Sequence, residues 1–196
     1  MKKILVACEY TGRVRRALRE KGVNAYSCDI RASLDDSEYH IQKDLKEVLN
    51  NEKWFAVISF PPCTHLASSG ARHFHKKQVE QKEALQFVQM LMDYDCKYFA
   101  LENPVGIISS RIRKPDQYIQ PYEYGEPISK KTCLWLRGLP SLKKDPNENV
   151  YKDINWQNDN SKRRICSTIS NKKKDRDKTF IGIANAMAEQ WSHLLV

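Results

Sequence analysis

A cysteine and a glutamate each follow an apolar segment of the chain, and together they could carry out covalent catalysis. Cys63 comes after the apolar run Trp54–Phe60 and a Pro-Pro pair, and Glu102 follows the run Lys97–Leu101. A thiolate can attack an electrophilic carbon while a nearby carboxyl group donates a proton or a hydrogen bond. Taken singly, Cys63 is better explained as an inert thiol in a turn and Glu102 as a capping or ion-paired residue. Their joint placement at two strand ends favours catalysis.

The elements that would position these residues alternate between strands and helices. This alternation implies parallel pairing and a sheet that is covered on both faces. We therefore predict an α/β fold with a doubly wound, mostly parallel, Rossmann-like sheet, in which ligands bind beyond the carboxyl ends of the strands. The predicted strands are Lys3–Cys8, Asn24–Asp29, Trp54–Phe60, Lys97–Leu101 and Cys133–Leu136, and the predicted helices are Arg13–Lys21, Leu45–Asn50, Glu80–Met92 and a closing helix within residues 179–196.

The charge of the chain favours a polyanionic partner. Lys and Arg number 33 against 24 Asp and Glu, which gives a net charge of +9. A basic surface attracts nucleic acid. The polar stretch Lys143–Lys178 has little apolar periodicity, and it is interpreted equally well as a solvated loop or as a flap that contacts phosphates. The candidate nucleic-acid-binding residues in this stretch are Lys162, Arg163, Arg164, Lys172 and Lys173.

Several other classes of protein are disfavoured. The six cysteines are scattered without a C-x-x-C pair, which supports neither a zinc ribbon nor a disulfide framework. His65, His73 and His75 follow Cys63 at spacings that match no strong ligand pattern, so no metal site is predicted. No apolar run approaches the length of a membrane span, and the apolar start of the chain is too short for a signal peptide. We expect a cytoplasmic protein with no membrane partner.

Four segments of the chain resemble motifs of the DNA (cytosine-5) methyltransferase family. Phe60–Cys63, with Gly70 seven residues beyond the cysteine, resembles the catalytic loop, and Leu101–Pro104 is similar to the Glu-Asn-Val element. Tyr124–Lys130 is similar to the Tyr-Gly-x-Pro-Gln-x-Arg-x-Arg segment, and Gly182–Met187 resembles the closing Gly-Asn-Ala-Val helix. Each match is short, but the four occur in the family's order and span nearly the whole chain. The chain thus looks like a compact, phage-like member.

This resemblance implies a reaction. A methyl group would pass from S-adenosylmethionine to carbon 5 of cytosine in DNA. Cys63 would attack carbon 6 of the ring, and Glu102 would form a hydrogen bond to ring nitrogen 3 as negative charge develops there. Lys130 would take the place of a family arginine beside the target base. That base would have to leave any duplex to reach the thiol.

The resemblance also implies where the cofactor binds. The loop after the first strand would lie at the methionine part of the cofactor, and Asp29 would bind the ribose hydroxyl groups. Asp44 matches an acidic residue near the adenine amino group, although a helix N-cap explains it equally well. The cofactor-binding residues implied in this way are Glu9, Tyr10, Gly12, Asp29, Asp44, Pro61 and Asn185.

The chain departs from the family in ways that leave other functions open. Thr132 occupies the position of a second arginine, and the stretch that would hold a target-recognition domain is short and polar. We expect residues 1–142 to form the catalytic domain, residues 143–178 a basic loop in place of a recognition domain, and residues 179–196 a helix that packs back on the catalytic domain. Two alternatives remain: methylation of a free cytosine nucleotide such as deoxycytidine monophosphate, or nucleic-acid binding without catalysis.

Overall fold

A seven-stranded sheet with helices on both faces organises the protein. The computed structural model describes residues 2–126, 128–144 and 178–196. Within these ranges the strands are β1 Ile4–Ala7, β2 Ala25–Asp29, β3 His40–Gln42, β4 Ala56–Ser59, β5 Tyr98–Pro104, β6 Gln117–Ile119 and β7 Thr132–Arg137. The helices are α1 Arg13–Glu20, α2 Leu45–Asn51, α3 Gln78–Asp93, α4 Ile108–Arg111 and α5 Ile181–Leu195, with 3₁₀ turns at Ser68–Lys76 and Pro121–Tyr124.

The strand order explains where a ligand can bind. The strands lie in the order β3-β2-β1-β4-β5-β7-β6. The pairs from β3 through β5 are parallel, whereas β7 runs antiparallel to both β5 and β6. The chain reverses its direction of winding between β1 and β4, and this switch point opens a crevice beyond the carboxyl ends of the strands. The structure therefore confirms the predicted fold class.

Each face of the sheet contributes to its own hydrophobic core. On one face, Ile4 and Val6 pack with α1 and α5, where Leu18 and Trp191 are fully buried. On the other face, alternate residues of the same strands pack with α2 and α3. Strands that are buried on both faces consist of consecutive apolar residues, which is why β1 is recognisable in the sequence.

The ends of several elements differ from the prediction. β5 continues through Glu102, Asn103 and Pro104 rather than stopping at Leu101, because β7 pairs with it as far as the Pro104–Thr132 register. The short strands β3 and β6 were not predicted, since three residues carry too little periodicity to be recognised. No helix in the described ranges combines the length and the apolar character that crossing a membrane requires.

Candidate functional site

A cleft of about 730 Å³ opens beyond the carboxyl ends of β1, β2, β4 and β5. It lies at the switch point of the sheet, where open α/β folds bind their ligands. The structure brings six of the predicted site residues into its lining: Asp29, Asp44, Pro61, Cys63, Glu102 and Lys130.

Cys63 begins a tight turn within the loop that follows β4. Its side chain is half-buried. Its carbonyl oxygen accepts hydrogen bonds from the backbone N–H groups of Leu66 and Ala67, each at 3.0 Å. The loop is therefore folded back on itself directly after the cysteine, and the Cys63 side chain lines the cleft.

Asn103 ties this loop to β5. Its Nδ2 donates a hydrogen bond to the carbonyl oxygen of Pro61 at 2.8 Å, and the contact is buried. The Asn103 Oδ1 atom is also buried and has no hydrogen-bond partner among the described residues. The sequence pointed to Asn103 only as part of a motif, because its role depends on a contact 42 positions away along the chain.

Residues beyond Asn103 hold the far end of the same loop. The backbone N–H and the hydroxyl of Ser68 both donate to the carbonyl oxygen of Val105, each at 2.9 Å. A β-bridge joins Ala67 to Gly106. A Cβ atom on Gly106 would lie 2.0 Å from the carbonyl oxygen of Leu66, so only glycine allows this approach.

Glu102 lies half-buried in the cleft with two groups that interact with its carboxyl. The Thr132 hydroxyl donates a hydrogen bond to it. Burial raises the pKa of Glu102, while the positive charge of Lys130 and the bond from Thr132 act in the opposite direction without cancelling the effect. Glu102 therefore holds a proton more tightly than an exposed glutamate, which suits a hydrogen-bond donor in the cleft.

Lys130 faces a wall of the cleft that the sequence did not reveal. Its Nζ lies 5.4 Å from the centroid of the Phe180 ring. Phe180 lines the cleft together with Lys178 and Thr179, which precede α5. These residues follow a long polar stretch with no strand or helix pattern, so no sequence signal marks them as cleft residues.

Asp29 ends β2 and is held by an arginine two positions later. Its Oδ1 accepts hydrogen bonds from the backbone N–H of Arg31 at 2.9 Å and from Arg31 Nε at 3.2 Å. The guanidinium of Arg31 lies 3.6 Å from the centroid of the Tyr10 ring. Ile30, which lies between Asp29 and Arg31 in the sequence, lines the cleft with 74% of its surface exposed. A carboxylate and an apolar surface thus lie side by side.

The loop after β1 contributes to the cleft differently from the prediction. Cys8, in a left-handed conformation with φ 59°, lines the cleft. The cleft lining formed by the described residues does not include Glu9, Tyr10 or Gly12. Glu9 is buried and caps α1, where it accepts hydrogen bonds from the N–H groups of Val14 at 2.7 Å and Arg15 at 3.3 Å. Burial raises the pKa of Glu9, and these donors oppose the rise.

Asp44 fits both interpretations of its sequence position. Its side chain accepts a hydrogen bond from the N–H of Lys46 at 2.7 Å and caps α2. It also lines the cleft. Asn185 is exposed on α5 and does not belong to the lining that the described residues form.

The five basic residues that the sequence marked for nucleic-acid binding lie outside the described residues: Lys162, Arg163, Arg164, Lys172 and Lys173.

Comparison with known proteins establishes the fold. The chain has a mixed α/β, Rossmann-like fold that it shares with a methyltransferase. That protein is the Entamoeba histolytica methyltransferase EhMeth, with a TM-score of 0.51 and 14% identity over 74% of this chain and 57% of that chain. No family model and no curated protein matches the chain.

Two other solved structures are more distantly similar. One, encoded within an E. coli prophage and assigned as a DNA modification methyltransferase, has a TM-score of 0.46 and 15% identity over 69% of this chain and 46% of that chain. The other, S. pombe Dnmt2 methyltransferase, has a TM-score of 0.44 and 15% identity over 72% of this chain and 50% of that chain. The chain spans 46% to 57% of the length of these structures and EhMeth.

Proposed function

We propose that this protein transfers a methyl group from S-adenosylmethionine to carbon 5 of cytosine in DNA, with Cys63 as the nucleophile. One observation carries the proposal: Cys63 and Glu102 line a single cleft, and Asp29 lines the same cleft from the end of β2. A nucleophile, a carboxyl group that can donate a hydrogen bond, and a carboxylate for ribose hydroxyls are the groups that this reaction requires.

The lining of the cleft fits the proposed cofactor. Its volume of about 730 Å³ lies within the range of small-molecule pockets. Asp29 and Asp44 offer carboxylates for hydroxyl and amino groups, while Ile30 and Phe87 offer apolar surface for a flat base. When bound, S-adenosylmethionine supplies an electrophilic methyl group, and these residues would hold and orient it.

Cys63 overcomes the low reactivity of carbon 5. Its thiolate attacks carbon 6, so that a sulfur–carbon bond forms and the electron pair of the ring double bond moves toward carbon 5 and the ring nitrogen. Carbon 5 would then bond to the methyl group, while the bond from that methyl to the sulfonium sulfur breaks and S-adenosylhomocysteine, a neutral thioether, leaves. Loss of the proton from carbon 5 to a base or to water returns an electron pair to the ring, the sulfur–carbon bond breaks, and Cys63 leaves as thiolate.

Glu102 stabilises the charge that this attack creates. Ring nitrogen 3 gains electron density when the thiolate adds, and a protonated carboxyl group donates a hydrogen bond to it. The raised pKa of Glu102 supports this role, since it keeps the proton available at higher pH. Thr132, which already donates to the carboxyl, fixes its orientation.

The positive charge of the chain favours a polymeric substrate. The net charge of +9 suits a polyanion, and Lys130 and Lys178 place positive charge on the wall of the cleft. A target base within a duplex would have to be flipped out to reach Cys63. A free cytosine nucleotide would enter the same cleft without this step and is the principal alternative.

The first experiment distinguishes the substrates. Purified protein is incubated with S-adenosylmethionine labelled in the methyl group and with duplex DNA, single-stranded DNA, RNA or deoxycytidine monophosphate. Label in carbon 5 of DNA cytosine is the expected result. Label in the nucleotide alone would mean that the substrate is the free nucleotide and not DNA. Cofactor binding without transfer to any substrate would contradict the proposal and favour a protein that binds nucleic acid without catalysis.

The second experiment tests the nucleophile. DNA that contains 5-fluorocytosine should trap a covalent adduct with the wild type, because the fluorine cannot leave as the proton does. Cys63→Ser should form no adduct and transfer no methyl group. Cys96→Ser is the matched control, since Cys96 is also half-buried but does not line the cleft. Full activity in Cys63→Ser would overturn the mechanism.

A further inference from the structure

Two loops lie side by side at the end of the cleft proposed for the cofactor. One follows β1 and spans residues 8–12, and the other follows β2 and spans residues 30–39. The N–H of Leu34 donates to the carbonyl oxygen of Tyr10 at 3.0 Å, and the Arg31 guanidinium lies over the Tyr10 ring at 3.6 Å. Because Cys8 and Arg31 both line the cleft, the junction of the two loops shapes its wall.

Asp35 lies at the centre of this junction, outside the cleft lining formed by the described residues. Its carboxylate accepts hydrogen bonds from the guanidinium groups of Arg15 and Arg16 and from the hydroxyl of Ser33. Burial opposes its ionisation, but these donors outweigh burial and hold the pKa of Asp35 well below its usual range. The carboxylate is therefore ionised at any pH near neutrality.

Arg15 makes this contact important because its guanidinium is buried. Its side chain is 1% exposed, and its Nη2 donates to Asp35 at 2.6 Å. The Nε and Nη1 atoms have no hydrogen-bond partner in the described part of the chain. Removing the partner of a buried charge is strongly destabilising. The charge of Arg15 also opposes the rise in the pKa of Glu9, the residue that caps α1.

Gly12 lets this ion pair approach the loop after β1. A Cβ atom on Gly12 would lie 2.2 Å from Arg15 Nη2 and 2.9 Å from Asp35 Oδ2. Arg16 adds a hydrogen bond to the carbonyl oxygen of Thr11 at 3.2 Å. The charged groups of Arg15, Arg16 and Asp35 therefore pack closely against this loop at Gly12.

We propose that Asp35 is a positioning residue for cofactor binding. Through Arg15 and Arg16 it holds the loop of residues 8–12 against the loop of residues 30–39, and so it sets the wall that the cofactor contacts. This inference rests on the proposed function. Without Asp35, Glu9 is the remaining carboxylate whose interaction with Arg15 the described structure records. A shift of Arg15 toward Glu9 would pull Glu9 from the α1 amides and displace the loop.

Asp35→Asn tests the proposal by calorimetric titration with S-adenosylmethionine. We expect the dissociation constant to rise about tenfold, as for other residues that act through a packed network. The KM for the cytosine substrate and kcat at saturating cofactor should be unchanged, a separation that general loss of stability would not produce. Asp35→Glu should restore part of the affinity. Asp36→Asn is the control, because Asp36 is exposed and its left-handed φ of 46° tolerates asparagine.

Arg16→Gln provides a second variant that leaves no buried charge unpaired, since half of the Arg16 side chain is exposed. It should weaken cofactor binding about threefold. Hydrogen exchange of the cofactor-free protein adds a readout that is independent of binding: the amide of Leu34 should exchange faster in both variants than in the wild type.

Two results would overturn the inference in distinguishable ways. If the wild type binds S-adenosylmethionine, and Asp35→Asn and Arg16→Gln bind it equally well, Asp35 has no positioning role and the proposed function stands. If the wild type binds no S-adenosylmethionine, the proposed function and this inference fail together. If Asp35→Asn does not fold, the affinity of Arg16→Gln for S-adenosylmethionine decides whether the positioning role holds.

Discussion

The two sides of the cleft are held in place by different kinds of contact. On the side proposed for the target base, here called the target side, which comprises the Cys63 loop and the end of β5, neutral side chains donate hydrogen bonds to backbone carbonyl oxygens: Asn103 to Pro61 and Ser68 to Val105. On the side proposed for the cofactor, here called the cofactor side, which comprises the loops after β1 and β2, charged side chains such as Asp35 dominate. Neutral bonds respond little to salt, whereas charged contacts that reach the solvent, such as that of Arg16 with Asp35, are screened by it. The two sides should therefore fail under different perturbations.

The largest effect is expected from Asn103→Ala on the target side. Losing the bond to Pro61 frees the loop that carries Cys63, and a displacement of about 1 Å at a reacting group can cost about 100-fold in rate. Single-turnover methyl transfer should fall by about this factor, while the affinity for S-adenosylmethionine remains unchanged. Ser59→Ala is the control, because Ser59 also makes a buried bond between β4 and β5. A rate within a few-fold of the wild type would show that Asn103 does not position the loop.

Gly106→Ala should have the next largest effect, on stability. Its Cβ would lie 2.0 Å from the carbonyl oxygen of Leu66, so the backbone must move at a cost of roughly 1–3 kcal/mol. Urea unfolding measures the loss. Gly22→Ala separates crowding from backbone strain, because Gly22 has φ +81° but nothing within 4 Å of a Cβ. Because Gly106 is not among the glycines with positive φ, unchanged stability in Gly106→Ala would mean that the Leu66 contact does not matter.

The difference between the two sides of the cleft also explains which features could be predicted from the sequence. The target side lies in contiguous motifs next to apolar strands, so Cys63 and Glu102 are visible from residue type and position alone. The fold class is visible for the same reason, since parallel strands buried on both faces leave continuous apolar runs such as Ile4–Ala7. Asp44 could be interpreted as a cap or as a cleft residue, and it occupies both positions.

Asp29 and Asp44 were predicted from the sequence, but the contacts that hold the cofactor side in place were not, because they join distant residues whose spacing shows no pattern. Asp35 lies in a polar loop and Arg15 on a basic helix, and nothing in their spacing shows that they pair across 20 positions. Glu9 stays a predicted cofactor residue, and nothing in the sequence shows that its oxygens accept hydrogen bonds from the α1 amides. Phe180 and Lys178 line the cleft from a segment that lacks any strand or helix pattern.

Glu102→Gln should change how stability depends on pH. Burial raises the pKa of Glu102 above its ordinary value of 4.5, so the folded state binds this proton more tightly than the unfolded state does. The contribution of Glu102 to stability therefore declines as pH rises from the ordinary pKa through the raised one. Glutamine cannot ionise, so the variant should gain stability relative to the wild type over that range. The pKa of Glu9 is also raised, but Glu9 is present in both proteins, so its contribution cancels in the difference between them.

Thermal unfolding at several pH values measures this difference. A difference between Glu102→Gln and the wild type that does not vary with pH would mean that the folded protein does not raise the pKa of Glu102. It would also remove the support that this pKa gives to Glu102 as a hydrogen-bond donor. Glu38→Gln is a suitable control, because Glu38 is exposed and lies outside the cleft lining that the described residues form.

Arg31→Met should have the smallest effect, a modest loss of affinity for S-adenosylmethionine. It also allows the most direct comparison of the two sides of the cleft. About half of the Arg31 side chain is exposed, and exposed ion pairs contribute only about 0.2–1 kcal/mol. Losing its hold on Asp29 should therefore weaken S-adenosylmethionine binding roughly two- to fivefold. Added salt should reduce the difference in S-adenosylmethionine affinity between wild type and variant, because it screens the Arg31–Asp29 ion pair of the wild type. The rate defect of Asn103→Ala should not change with salt. Tighter cofactor binding by Arg31→Met would mean that Arg31 competes with the cofactor for Asp29 instead of orienting it.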